Sequence, residues 1–206
     1  MSDIVTMINN SYAEERLKNN PWHNSPYANF LKLGIDARGR LGEEIISQAI
    51  NISNNSNIII NEDITNVNAK GKGIHYDMKI NNKLIEIKTA YRDKANAWQH
   101  ENLYVSASDI VVFVDFDYTG IYISVIPNEK LPLGKDSEIF GRKHGTLRKN
   151  KDDGYKLDFS LTTLSTFLKY GNNYSKFFNA EQATLSNIGD FVTERILNLC
   201  GNCLKK

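Results

Sequence analysis

The chain has 206 residues, 41% hydrophobic and 24% charged, which suits one domain burying about two-thirds of its unfolded surface and carries no signature of disorder. Its formal net charge of +1 gives no overall electrostatic footprint for nucleic acid, so any such partner must be held by local charge. No run of about 18 apolar residues suits a membrane span, and Met1-Ser2-Asp3-Ile4 lacks a basic start leading into an apolar signal core, so the expectation is a cytoplasmic protein with no membrane partner.

Ser2 to about Asn19 favours a helix, which Asn20-Pro21 ends because the residue before proline is pushed out of the helical region. After a loop with Trp22, Pro26 and Tyr27, a second helix is predicted from Gly39 to about Ile52. Its Leu41, Ile45, Ile46, Ala49 and Ile50 gather on one side at about 100° per residue. Ser53-Asn54-Asn55-Ser56-Asn57 has turn chemistry, and the β-branched run Ile58-Ile59-Ile60 reads as a strand. Ile74 to Ile80 and Lys83 to Ala90 alternate in polarity around Asn81-Asn82, a pair that tolerates the positive backbone angles of a two-residue hairpin turn. Strands are also predicted at Ile110 to Asp115 and Ile121 to Val125, with Pro127 closing the second. Beyond them come a basic loop from Gly141 to Gly154, a strand from Tyr155 to Phe159, and helices from Leu161 to Tyr170 and from Glu181 to Leu199. Cys200 and Cys203 supply only half of the ligands that a structural zinc takes, and they read as reduced thiols.

The hairpin carries the chemistry. With a two-residue turn Ile80 faces Lys83, and Asp77 then faces Glu86. Alternation puts Ile74, Tyr76, Met78, Ile80, Ile85 and Ile87 on one face. His75, Asp77, Lys79, Glu86 and Lys88 share the other, with Lys88 opposite His75. Opposed carboxylates destabilise a sheet. A hard divalent cation gives them a reason, because Mg²⁺ takes one or two carboxylates together with waters and phosphate oxygens. Lys88 on the same face is suited to hold or polarise a water attacking phosphorus. The bland alternative is a solvated face on which Lys79, Lys88 and His75 balance the acids.

The spacing of Asp77, eight residues, then Glu86-Ile87-Lys88 resembles the signature of the PD-(D/E)xK nuclease superfamily, and the resemblance extends over roughly residues 1–126. The order of helix, strand, hairpin and two later strands is similar to that family's core. Tyr76 stands where the family name has proline. The resemblance implies an α/β fold with a restriction-endonuclease-like core, a mixed central β-sheet flanked by α-helices. It implies one nuclease domain over 1–206, with helices and catalytic core in 1–126 and a DNA-contacting loop, strand and C-terminal helices in 127–206. It also implies a metal-binding glutamate from the preceding helix. In Gly42-Glu43-Glu44 helical geometry favours Glu43, at the edge of the apolar stripe, over the solvent-facing Glu44; the alternative is two acids complementing the helix dipole.

The expected catalytic set is therefore Asp77, Glu86, Lys88 and Glu43, with Asp77, Glu86 and Glu43 holding Mg²⁺, for which Mn²⁺ substitutes. Gln99 is a candidate for active-site support or an ordinary surface residue. The most cationic segment, with Arg142, Lys143, His144, Arg148 and Lys149, is the candidate contact to double-stranded DNA, and Lys70-Gly71-Lys72-Gly73 is a second. A Type II restriction endonuclease fits this resemblance best, as a homodimer on a palindromic site with a cognate DNA methyltransferase in the same system. The alternatives are a structure-selective nuclease of the Holliday-junction resolvase or repair type, and a non-catalytic DNA-binding module with the same fold.

Overall fold

The computed structural model describes residues 20–53, 55, 57–60, 76–103, 108–131, 148–149, 155–160 and 174–201, together with Ile4 and Met7. The predicted helices at 2–19 and 161–170 thus lie almost wholly outside the described residues.

The helix predicted from Gly39 starts earlier, as α1 over Ile35–Ser53, and buries Gly42, Ile46, Ala49 and Ile50 along one stripe. The hairpin forms, with β2 at Lys83–Tyr91 and a β1 shorter than the predicted Ile74 to Ile80: it spans Met78–Ile80, Tyr76 and Asp77 lie outside it, and Ile74 and His75 are not among the described residues. Its register pairs Ile80 with Lys83 and Met78 with Ile85. Asn81 and Asn82 hold φ of 48° and 64°, the left-handed pair that a turn matching strand twist requires. Ile58-Ile59-Ile60 is not a full strand. Only Ile60 bridges to Ile80, because the Asn81 amide takes over the neighbouring main chain: Ile59 N–H donates to Asn81 Oδ1 at 2.8 Å and Asn81 Nδ2 donates to Asn57 O at 2.9 Å.

β4 (Ile110–Phe116) runs parallel to β2, while β5 (Gly120–Pro127) and β8 (Ser175–Asn179) continue the sheet antiparallel. The result is a mixed five-stranded sheet in the order β1-β2-β4-β5-β8. β4 is buried along its whole length, which accounts for its apolar run from Ile110 to Val114. One face packs on α1 and on α2 (Leu185–Gly201), whose Ile188, Val192 and Ile196 join Ile46, Ile50, Ile85, Ile87, Val112 and Ile123 in the main core.

The other face departs from the expected flanking by helices. It is covered by a three-stranded sheet of order β3-β7-β6, built from Ala97–Leu103, Tyr155–Ser160 and Arg148–Lys149. Trp98, Leu103 and Leu157 from this layer pack on Ala90, Val111, Phe113, Tyr122 and Ile126. The Trp98 indole N–H also donates to Phe116 O at 2.7 Å. Near the C-terminus, residues 179–183 form a turn rather than the start of the last helix. Asn179 Oδ1 accepts from Glu181 and Gln182 N–H, and Thr184 Oγ1 then caps the helix through Asn187 N–H at 3.2 Å. Among the described residues no helix is long and apolar enough to cross a membrane.

Candidate active site

Asp77 sits just beyond the ladder of β1. Its N–H donates to Ile85 O at 2.8 Å, and its Oδ2 accepts from Ile87 N–H. The carboxylate thus takes the acceptor place that the next main-chain carbonyl of a longer β1 would fill. Regular pairing stops at Met78 for this reason, and the acid is oriented by the backbone of β2.

Glu86 points to the same face as Val111, its partner on β4, and is 3% exposed. Its Oε1 lies 2.7 Å from Lys88 Nζ. Its Oε2 is buried and has no hydrogen-bond partner among the described residues. Burial raises its pKa from 4.5 to about 7; Lys88 pulls it down and the charge of Asp77 pushes it up. Desolvation therefore outweighs even a close lysine, as expected for a carboxylate taken out of water. The solvated polar face of the bland reading is not what surrounds this acid. Lys88 keeps 22% of its side chain exposed.

Glu43 reaches this cluster from α1. It is half-buried, and its pKa is raised first by burial and then by the charge of Asp77, with Lys88 and Arg40 acting in the opposite sense. Glu44 is exposed and accepts from Gln48 Nε2 at 2.9 Å, so the two neighbouring acids divide as helical geometry requires. α1 comes this close because Gly42 lies against Thr89 of β2. Asp77 and Lys88 thus act electrostatically on both Glu43 and Glu86. Among the described residues no three His, Cys, Asp or Glu side chains form a ready metal cage. The donor set still fits a hard cation, because Mg²⁺ is commonly held by one or two carboxylates with waters and phosphate oxygens completing its sphere, and Glu86 Oε2 is a buried oxygen in need of a partner.

Gln99 is placed away from these residues. Alternation along β3 sends Trp98 and His100 inward and Gln99 outward. There its Nε2 donates to Asp93 Oδ2 and its Oε1 accepts from Lys156 Nζ, both at 3.1 Å. Arg142, Lys143 and His144 lie outside the described residues, as do His75 and the Lys70 to Gly73 segment. Arg148 and Lys149 form β6, in register with Lys156 and Tyr155 of β7.

A buried pair that the sequence reading did not single out lies on the same sheet face as Glu86 and Lys88. His100 Nε2 is 3.0 Å from Asp115 Oδ1, and both side chains are fully enclosed. Burial raises the Asp115 pKa, and His100 opposes that rise. The His100 ring also stands edge-on to Phe113 at 4.6 Å, and Phe113 is the β4 partner of Lys88. The alternation of Trp98 and His100 with Gln99 and Glu101 was the available signal for an inward-facing histidine. Comparison of the chain with protein-family models, with curated proteins and with solved structures gives no match.

Proposed function

We propose that this chain is a Mg²⁺-dependent endonuclease that hydrolyses DNA phosphodiester bonds, and within that class a Type II restriction endonuclease cutting double-stranded DNA at a specific sequence. The observation that carries the reading is Glu86, a carboxylate 3% exposed, 2.7 Å from Lys88, with one oxygen unpartnered and a second acid beside it. Such an arrangement is costly to the fold. Perturbed acids placed beside a partly exposed cation mark candidate catalytic sites.

Asp77, Glu86 and Glu43 would hold the ion, Asp77 already oriented by Ile87 N–H and Glu86 by Lys88. When bound, the ion supplies neutralisation of phosphate charge and acidification of the attacking water. Lys88, partly exposed and with its ammonium beside Glu86, is suited to donate a hydrogen bond to the entering water or to a phosphate oxygen. The cationic residues Arg142, Lys143, His144, Arg148 and Lys149 would hold the duplex. A homodimer would bring one site to each strand of a palindrome, and a cognate methyltransferase would protect the host sequence.

The test is incubation with mixed-sequence duplex DNA and with branched DNA in the presence of Mg²⁺, followed by sequencing of the ends. A short sequence recurring at every duplex end is the expected result. Ends from branched DNA alone would replace the restriction reading with a structure-selective nuclease. DNA binding without cuts under any divalent ion would leave a non-catalytic binding module.

A further inference from the structure

α1 touches the catalytic strand through bare backbone. A Cβ added to Gly42 would stand 1.8 Å from Thr89 Oγ1, 3.0 Å from Thr89 Cβ and 3.3 Å from its Cγ2, whereas ordinary contacts begin at 3.4 Å. Thr89 follows Lys88 and shares its sheet face with Ile85 and Ile87, so its side chain faces the helix layer. Its Oγ1 is buried there with no hydrogen-bond partner among the described residues. The close approach leaves a buried hydroxyl unsatisfied, which is unfavourable to the fold.

Further along the same stripe, α1 is equally close to α2. A Cβ on Gly189 of α2 would stand 2.0 Å from Ala49 O and 3.2 Å from Ser53 Cβ, and Ser53 Oγ is 3.0 Å from Thr193 Oγ1. α1 therefore makes close contacts with both β2 and α2, lying beside α2 on the same face of the sheet. Glycine inside a helix is less favourable than alanine, so Gly42 stands against helix propensity. Gly39, on the same helix, has nothing within 4 Å of where its Cβ would be. The contact at Gly42 is therefore a property of that position and not of the helix as a whole.

Building on the metal site proposed above, we infer that Gly42 is a positioning residue: its backbone contact with Thr89 sets how near α1 approaches β2, and so delivers the Glu43 carboxylate to Asp77 and Lys88. The supporting coupling is electrostatic, since Asp77 and Lys88 are among the groups that act on Glu43.

The test is Mn²⁺ binding to the whole chain without DNA, measured by the loss of the free-ion electron paramagnetic resonance signal. It compares the parent with Glu43→Gln, Gly42→Ala, Gly39→Ala and the double variant Gly42→Ala/Thr89→Ala. Gly42→Ala should weaken binding about 10- to 100-fold, the usual range for loss of a group that orients a metal ligand, and should match Glu43→Gln. Gly39→Ala should bind like the parent, and the double variant should regain most of the loss. Thr89→Val, which puts a methyl where Oγ1 stands, should shift binding in the same direction as Gly42→Ala and covers the case in which Gly42→Ala does not fold. A folded Gly42→Ala or Thr89→Val that binds like the parent, while Glu43→Gln binds weakly, would overturn the inference and leave the metal site standing. Failure of the parent to bind Mn²⁺ would instead overturn the metal site.

Discussion

Replacing Glu86 with Gln should change how stability depends on pH, because the parent acid is buried. Its pKa rises from 4.5 to about 7, chiefly through burial. The folded chain therefore holds this proton more tightly than the unfolded chain does. The stability this implies is fully present below the unfolded value and is lost as pH rises through the folded value. At 1.36 kcal/mol per pH unit, the interval from 4.5 to about 7 amounts to about 3 kcal/mol. Glu43 and Asp115 are shifted in the same direction, so the difference between parent and Glu86→Gln isolates the one group. Urea denaturation in EDTA between about pH 5 and pH 8 should show the parent losing about 3 kcal/mol relative to Glu86→Gln, with the change complete soon after neutrality. A divalent ion that binds the ionised site should return about 2.7 kcal/mol at a hundredfold excess over its Kd. Parallel stability curves for the two proteins in EDTA would refute the buried, proton-holding acid.

Asp77→Asn and Lys88→Ala should both abolish Mg²⁺-dependent cutting with the fold intact by circular dichroism, but only Asp77→Asn should weaken Mn²⁺ binding; cutting by Lys88→Ala at the parent rate would make that lysine a mere charge balance. Arg142→Ala combined with Arg148→Ala should lower DNA affinity without altering metal affinity. A loss shared by all sequences with a reduced salt slope indicates phosphate contacts, whereas a loss of about 1–3 kcal/mol chiefly on the cognate site indicates guanine contacts, and unchanged binding across a salt series would remove these residues from the interface. His100→Leu should destabilise the chain by about 1–3 kcal/mol, because it leaves the buried Asp115 carboxyl without its histidine partner. His100→Leu with Asp115→Leu should recover much of that loss in urea denaturation, and equal losses in the single and double variants would show that the pair is not coupled.

The central features were legible where one local rule decided them. Asn81-Asn82 dictated the turn, and the turn dictated the register from Ile80 to Met78. The ladder stops there, so Asp77 is not paired with Glu86 as the alternation implied but is held beside it by Ile85 O and Ile87 N–H. The stripe along α1 separated Glu43 from Glu44 in the same way. What escaped depended on partners far apart in sequence. β3 carries Gln99, His100, Glu101 and Asn102, a polar run whose strand character comes from pairing with β7 more than 50 residues later. β8 reads as a turn-rich stretch until β5 offers it a sheet edge. The depth of Glu86 was hidden too, because a glutamate in an alternating strand reads as solvent-facing unless a second layer covers that face, and here β3 and β7 provide it. The tight contact of Gly42 with Thr89 likewise appears only once helix and strand are packed.

The central claim is that this acid cluster is a metal site for DNA cleavage, and it makes a direct demand on DNA affinity. Without a cation the acids face a phosphate with like charge, so binding near neutral pH should be weak. Ca²⁺ should restore tight binding but not cutting, because its longer and looser coordination positions and acidifies the attacking water poorly, while Mg²⁺ or Mn²⁺ should restore both. The decisive measurement is a gel shift beside a cleavage assay on the same duplex in EDTA, Ca²⁺ and Mg²⁺. The account predicts weak binding and no cuts in EDTA, tight binding and no cuts in Ca²⁺, and tight binding with cuts in Mg²⁺; cleavage at full rate in EDTA would contradict it.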